Sequence, residues 1–240
     1  MAARPLPVSL RAALDEAGRQ LGDSFHRLGW LNGEVDAPMP EQHTVLHLAS
    51  ALRAQGFAVA PEVFLRGKEG ASRRRVDLLA HRPGEVFVFE VKTFGGWHFD
   101  ALEEDVDRLL QFGGVGPQTT PFTDMTRAHR AFWEDAVERW GCVVIQSFRT
   151  PRFPEAWAQL DAEAGPQDGL DGDARQAWKE VLRDNRRRVG STTLEALESL
   201  LRKLHTCGAT FGTQQVSEEI LVDTGALHLL WAAFPLLLQE

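Results

Sequence analysis

Two apolar runs on either side of Pro83-Gly84 constrain the fold of this chain more than any other feature. The first run is Arg75–Arg82 and the second is Glu85–Phe94. A Pro-Gly pair between two strand-like runs is typical of a tight turn, so the pattern predicts a β-hairpin. The second run is apolar at consecutive positions, which is typical of a strand that is covered on both faces. We therefore expect this strand to be central in its sheet.

Three charged side chains interrupt these runs at positions that the hairpin brings together. If Arg82 faces Glu85 across the turn, counting outward places Asp77 directly opposite Glu90. Directly opposed strand residues have β-carbons about 4.5 to 5.5 Å apart on one face of the sheet. Lys92 follows Glu90 by two positions and therefore points to the same face. Two opposed carboxylates repel each other, and a divalent cation bound between them would remove that repulsion.

These residue types predict a metal site suited to phosphodiester hydrolysis. Carboxylate oxygens without His or Cys favour Mg²⁺ or Mn²⁺, which keep several waters and take further ligands from substrate phosphates. The backbone carbonyl of Val91 can supply another ligand. A bound ion would polarise a phosphoryl oxygen and acidify a bound water, and Lys92 would orient that water or stabilise the developing negative charge.

The pattern of Asp77, twelve intervening residues and Glu90-Val91-Lys92 resembles the PD-(D/E)xK superfamily of nucleases and restriction-endonuclease-like proteins. The resemblance covers roughly residues 40 to 149. It implies an α/β fold with an αβββαβ core, in which helices flank a mixed sheet. It also implies that Asp77 and Glu90 bind metal and that Lys92 is the catalytic lysine. Val76 stands where proline is usual, a variation that the superfamily tolerates.

The first helix of that superfamily often supplies one more acidic residue. Glu41 is the best match and would be a further catalytic residue, with Glu62 on the following strand as the alternative. An acid at the N-terminus of a helix is also favourable for the helix itself, so Glu41 has a purely structural interpretation as well. His43 and His47 lie four residues apart on one helix face, but no third metal ligand accompanies them.

The remaining patterns predict a core with a segment on either side. Residues 1–36 form an N-terminal helical segment, residues 37–150 the nuclease-like core, and residues 151–240 a C-terminal extension for docking or dimerisation. The predicted helices are Ser9–Leu28, Glu41–Gln55, Asp100–Phe112, Thr126–Trp140, Glu155–Leu160, Ala174–Arg188 and Thr192–His205. An edge strand with Pro61 precedes the hairpin, a buried strand covers Cys142–Phe148, and a C-terminal hairpin joins Glu218–Asp223 to Ala226–Phe234.

Charge and hydropathy limit the functional classes. The net charge of -8 argues mildly against a protein that grips phosphates over its whole surface. Arg73, Arg74 and Arg75 end two residues before Asp77 and would contact the nucleic-acid backbone, although such a run is usually a solvated face. No stretch reaches 18 consecutive apolar residues and the N-terminus lacks a signal-peptide apolar block, so we expect a cytoplasmic protein without a membrane span.

The sequence therefore favours a Mg²⁺- or Mn²⁺-dependent nuclease that cuts DNA internally, acting alone, as a homodimer or with a protein partner. The alternative is a nuclease-like subunit without catalysis that has a structural or regulatory role in a nucleic-acid-processing or defence complex. A third interpretation takes Asp77, Glu90 and Lys92 as a charge ladder at a sheet edge. An α/β small-molecule enzyme is disfavoured because the chain has no phosphate-binding glycine loop and no GxSxG elbow.

Overall fold

The computed structural model describes residues 4–27, 41–64, 75–94, 99–111, 135–147, 152–160, 172–183, 191–216 and 226–236. The helices in these ranges are α1 (Val8–Arg27), α2 (Glu41–Ala54), α3 (Phe99–Gln111), α4 (Arg152–Gln159), α5 (Gly172–Arg183) and α6 (Ser191–Thr206). The strands are β1 (Ala58–Phe64), β2 (Arg75–Arg82), β3 (Glu85–Phe94), β4 (Glu138–Ser147), β5 (Thr210–Gln215) and β6 (His228–Pro235).

The strands form one mixed sheet of six in the order β1-β2-β3-β4-β6-β5. β3 and β4 run parallel, and every other neighbouring pair is antiparallel. The order α2-β1-β2-β3-α3-β4 is the predicted αβββαβ core. The predicted α/β class, with helices flanking a mixed sheet, is confirmed. Strand β1 lies at the edge, where its Pro61 removes no hydrogen bond from a central ladder.

The predicted hairpin is present with the predicted register. Arg82 pairs with Glu85 and the ladder continues outward to Leu78 opposite Phe89. Gly84 has a φ of 83°, which glycine adopts at no steric cost, so the turn residue suits its position. β3 has a neighbour on each side and is central, as its apolar composition predicted.

Side chains of β3 alternate between two hydrophobic cores, one on each face of the sheet. Phe87, Phe89 and Val91 pack in the core that α1 and α2 cover. Val86 and Val88 pack in the other core, which α3, α4, α5 and α6 cover. Because strand side chains alternate strictly, the residues that follow Val88 on its face are Glu90 and Lys92. The two charged residues therefore lie on the face of the sheet that carries α3.

The predicted helix Thr126–Trp140 is wrong at its C-terminal end, where residues from Glu138 onward belong to β4. Most of the predicted helix lies outside the described residues. The backbone N–H groups of Val137 and Glu138 donate to the carbonyl oxygen of Gly84 at 3.0 and 2.9 Å. From there the parallel ladder runs from Glu85 opposite Glu138. Pairing with the hairpin strand thus satisfies these backbone groups better than another helical turn would.

The predicted C-terminal hairpin is correct in its second strand and wrong in its pairing. β6 corresponds to the predicted strand Ala226–Phe234, but its two edges are taken by β4 and β5. Glu218–Asp223, the predicted first strand, lies outside the described residues. β5 was missed because Gly212 and its polar neighbours look unlike a strand. A β-carbon at Gly212 would lie 2.0 Å from Trp231, so glycine is required by the ring packed across it.

Helix α1 packs so closely against the end of β5 that one of its glycines has no room for a side chain. A β-carbon at Gly22 would lie 2.3 Å from the carbonyl oxygen of Val216. We expect Gly22→Ala to lower the free energy of unfolding by about 2 kcal/mol, because a backbone atom must shift. Helix propensity alone predicts the opposite sign, a gain of about 1 kcal/mol. Urea unfolding decides between them, with Ala12→Gly on an exposed position of α1 reporting the propensity effect alone.

Candidate active site

Asp77 lies at the point where the ladder between β2 and β3 gives way to a side-chain contact. Counted outward from the turn, it lies one residue beyond the last backbone pair of the ladder, Leu78 opposite Phe89. Its Oδ2 atom accepts a hydrogen bond of 2.7 Å from the backbone N–H of Val91. The Asp77 carboxylate therefore takes the place of a backbone acceptor on β2, and this contact fixes it against the strand that carries Glu90.

Glu90 is the buried carboxyl group of the site, with 2% of its side chain exposed. The pKa of Glu90 is raised to about 8, first by burial and then by the negative charge of Asp77 and a hydrogen bond between the two carboxyl groups. Arg108 and Lys92 lower the pKa of Glu90 but do not cancel these effects. The structure thus brings the carboxyl groups of residues 77 and 90 together on one face of the sheet, as the hairpin register predicted.

Lys92 lies beside this pair but is closer to a different acid. Its Nζ atom is 4.0 Å from Glu90 Oε2 and 3.2 Å from Asp105 Oδ2. Asp105 is on α3, and 5% of its side chain is exposed. Its other oxygen, Oδ1, contacts the guanidinium of Arg108, one turn further along α3. Arg108 Nε in turn lies 3.3 Å from Glu90 Oε1.

Asp105 and Arg108 were not predicted as site residues. The sequence did contain a signal, because Leu102, Val106 and Leu109 define the buried stripe of α3 and Asp105 lies within that stripe. A charged residue inside an apolar stripe requires a buried partner. Arg108 gave no such signal, because a cation near the C-terminal end of a helix is already explained by the helix dipole.

Glu41 lies at the start of α2, and its side chain contacts the backbone of β3. Its Oε1 atom accepts a hydrogen bond of 2.8 Å from the N–H of Thr93, the residue after Lys92. The Thr93 hydroxyl donates to Gln146 Oε1 at 3.3 Å, and the Gln146 amide donates to the hydroxyl of Thr44. Gln146 and Thr44 are buried, so this chain of hydrogen bonds anchors the start of α2 to the ends of β3 and β4.

Glu62, the alternative acid, has a different environment. Its carboxylate pairs with Arg75 and 60% of its side chain is exposed. Its φ of 54° is in the left-handed region, which is unusual for a residue with a side chain. Of the two acids, Glu41 is therefore the one that the structure ties to the strand of Glu90 and Lys92.

The other predicted positions add no ligands among the described residues. Arg73 and Arg74 lie outside those residues, and Arg75 contacts Glu62. Burial lowers the pKa of His47, and the neighbouring His43 lowers it further. In the described ranges, no group of three or more His, Cys, Asp or Glu side chains is placed to hold a metal ion by itself.

Comparison with known proteins matches the same part of the chain. Residues 40–146 match the family model described as NERD, nuclease-related domain. The resemblance to the restriction-endonuclease-like PD-(D/E)xK nucleases is thereby confirmed. The nuclease-related segment contains α2, β1, β2, β3, α3 and nearly all of β4.

A curated relative is similar over a shorter stretch. The crossover junction endodeoxyribonuclease Hjc of Methanocaldococcus jannaschii is 35% identical over 68 residues, which is 28% of this chain and 45% of Hjc. The chain thus spans less than half the length of this relative. The comparison with solved structures gave no significant match. Within the described residues, no helix is both long and apolar enough to cross a membrane.

Proposed function

We propose that this chain is a divalent-metal-dependent nuclease that hydrolyses phosphodiester bonds, with DNA as its substrate. The observation that carries the proposal is the contact between the carboxyl groups of Asp77 and Glu90 beside Lys92. The nuclease-related segment and the similarity to a DNA endonuclease support the substrate class.

The donor atoms around Glu90 suit a hard divalent cation. Two carboxylates in contact favour a cation between them, because burial and repulsion otherwise keep one of the two protonated. Among the described residues Glu90 Oε1 accepts no hydrogen bond, although the Arg108 guanidinium is 3.3 Å away. Mg²⁺ and Mn²⁺ are bound through few carboxylates, with waters and substrate phosphates completing the shell. A site with two carboxylates and no third ligating side chain among the described residues therefore suits these ions.

Asp77, Glu90 and the backbone carbonyl of Val91 would hold the ion. When bound, it would polarise the scissile phosphate and acidify a water molecule. Asp77 keeps its position through the N–H of Val91. The Lys92 ammonium lies next to Glu90, where it would stabilise negative charge that develops on the phosphate or orient the attacking water.

Glu41 would be the third acid of the site. Its hydrogen bond to Thr93 places it next to the residue that carries the catalytic ammonium. In this proposal it orients water near the metal rather than ligating the ion together with Asp77 and Glu90. Because α2 is anchored through Gln146 and Thr44, Glu41 is held on a rigid element, as a catalytic acid requires.

Nucleic-acid binding is proposed to involve the basic run Arg73 to Arg75 and a partner. The net charge of -8 disfavours binding of phosphates over the whole surface, so a second copy or another protein would supply part of the contacts to nucleic acid.

The division at residues 36 and 150 and the docking role of residues 151–240 are proposals as well. β5 and β6 extend the sheet of the core, so the C-terminal part would present its surface in a fixed relation to that sheet. The cytoplasmic location stays a prediction.

The proposed function is tested by metal-dependent cleavage of defined DNA. We expect the purified chain to cut a four-way junction or linear duplex with Mg²⁺ or Mn²⁺ and to be inactive in EDTA. Asp77→Asn should lower the cleavage rate about a hundredfold or more, because a bound metal stabilises the transition state by several kcal/mol. Asp107→Asn, on the outer side of α3, is the matched control and should keep wild-type activity. Cleavage that persists in EDTA or in Asp77→Asn would contradict the proposal, and metal binding without cleavage would favour the non-catalytic subunit.

A further inference from the structure

We propose that Asp105 is a positioning residue that holds the Lys92 ammonium beside Glu90, and that Arg108 fixes the Asp105 carboxylate in turn. This inference rests on the proposed nuclease function, because it assigns a residue of α3 to the same site. The motif itself lies on β2 and β3, and Asp105 and Arg108 add two residues of α3, the helix packed over these strands.

Asp105 is a buried acid whose charge is compensated by neighbouring cations. A carboxylate that is only 5% exposed is costly unless it is paired. Both of its oxygens have a cationic neighbour, since Oδ2 lies 3.2 Å from Lys92 Nζ and Oδ1 contacts Arg108. The surrounding residues Leu102, Val106 and Leu109 are buried in the core beneath α3. Packing therefore fixes the backbone that presents the Asp105 carboxylate to Lys92.

Lys92 needs such an anchor because no other carboxylate of the described residues lies as close to its ammonium. Its side chain is 34% exposed. Its ammonium lies 3.2 Å from Asp105 and 4.0 Å from Glu90, so Glu90 is 0.8 Å further away. A lysine stem has four rotatable carbon links and loses much rotamer entropy when it is held in one geometry. Without Asp105 the ammonium would turn toward solvent for much of the time. The catalytic charge would then be present but misplaced.

Arg108 joins the anchor to the metal-binding side of the site. The same guanidinium contacts Asp105 Oδ1 and lies 3.3 Å from Glu90 Oε1. It therefore keeps the Asp105 carboxylate turned toward Lys92 and sets the spacing between α3 and β3. Glu90 and Lys92 lie on one strand, and Asp105 and Arg108 lie one turn apart on the helix. The four side chains form a closed ring in which acidic and basic groups alternate.

Asp107 offers a control on the same helix. It also pairs with a lysine, at 2.7 Å from Lys203 Nζ, but its side chain is 50% exposed and the pair lies between α3 and α6. Asp105→Asn and Asp107→Asn remove the same charge from the same element. They differ in which lysine loses a carboxylate, and in that Asp105 is buried and also contacts Arg108.

The first test measures the lysines directly. The chain has four lysines, Lys68, Lys92, Lys179 and Lys203, which mass spectrometry resolves after brief labelling with an amine-reactive reagent. We expect Asp105→Asn to increase labelling of Lys92 roughly threefold and to leave Lys203 unchanged, because a lysine released from its ion pair reacts faster. Asp107→Asn should leave Lys92 labelling unchanged and raise Lys203 labelling by less than about threefold, because Lys203 keeps its contact with Glu103 at 2.9 Å. Asp105→Glu, which keeps the charge, should restore slow labelling of Lys92 in part. If Asp105→Asn does not fold, Asp105→Ser, which also removes the charge, takes its place with the same expected increase.

The second test measures cleavage. For Asp105→Asn we expect kcat to fall about thirtyfold while KM for DNA stays within a factor of about two, since the residue acts through Lys92 and does not touch the substrate. Unchanged labelling of Lys92 in Asp105→Asn overturns the inference whether or not the wild-type chain cuts DNA. Unchanged kcat in an active enzyme overturns it as well. An inactive wild-type protein with the expected labelling would refute the nuclease function while leaving Asp105 as the anchor of Lys92.

Discussion

Replacing Lys92 with methionine is expected to lower kcat for DNA cleavage by about a thousandfold, within the range for losing a positioned proton-transfer or charge-stabilising group. Methionine keeps most of the length of the lysine stem and removes only the ammonium. That ammonium lies 4.0 Å from Glu90, close enough to act on a phosphate bound at the two carboxylates. Single-turnover cleavage of a labelled duplex measures the effect without interference from product release.

Two binding measurements show whether Lys92→Met loses only catalysis or also loses binding of metal and DNA. Mn²⁺ binding by calorimetry and DNA binding in Ca²⁺ should both persist in Lys92→Met. Lys203→Met is the matched control, because Lys203 also contacts two acids, Glu103 at 2.9 Å and Asp107 at 2.7 Å, but lies away from Glu90. Its cleavage rate should equal that of the wild type. If Lys92→Met cuts at more than a tenth of the wild-type rate, the catalytic role of Lys92 is wrong.

The hairpin could be predicted because its determinants are local in sequence. The Pro-Gly turn sets the register, and once Arg82 faces Glu85 the meeting of Asp77 with Glu90 follows by counting. Strand alternation then places Lys92 on the same face. No long-range information is required, so the positions of Asp77, Glu90 and Lys92 relative to one another could be predicted from the hairpin alone.

Contacts between distant elements were harder to predict. Asp105 is charged in the same way as its exposed neighbour Glu104, and only the packing of α3 on the sheet separates a buried acid from a solvated one. β5 was missed for a similar reason, since its glycine makes sense only under the ring of Trp231, which lies on another strand. Glu41 was predicted as an acid of the site, but its hydrogen bond to the backbone of Thr93 could not be predicted from the spacing.

The raised pKa of Glu90 predicts an unusual dependence of stability on pH in the metal-free protein. An unfolded glutamate titrates near 4.5, whereas burial and the Asp77 charge move the pKa of Glu90 in the folded protein to about 8. Between these values the folded protein holds a proton that the unfolded chain has released. The contribution of Glu90 to the free energy of unfolding therefore falls as pH rises from 5 to 8.

Glu90→Gln should remove that dependence, because glutamine mimics the protonated acid and does not titrate. In EDTA we expect the variant to match the wild type near pH 5 and to exceed it by on the order of 3 kcal/mol at pH 8, from about 1.4 kcal/mol for each pKa unit. Urea unfolding at several pH values measures the difference. Glu104→Gln, at an exposed position of α3, should leave the pH dependence as in the wild type.

Adding Mg²⁺ should reverse the order of the two proteins at pH 8. A cation between Asp77 and Glu90 stabilises the ionised pair, so the wild type gains stability by mass action, whereas Glu90→Gln lacks the charge that binds the ion. The variant that is more stable without metal should thus be the one that metal does not stabilise and that does not cleave DNA. Parallel pH profiles for wild type and Glu90→Gln in EDTA would mean that the two carboxylates do not oppose each other. Repulsion would then give no reason for a cation to bind between them.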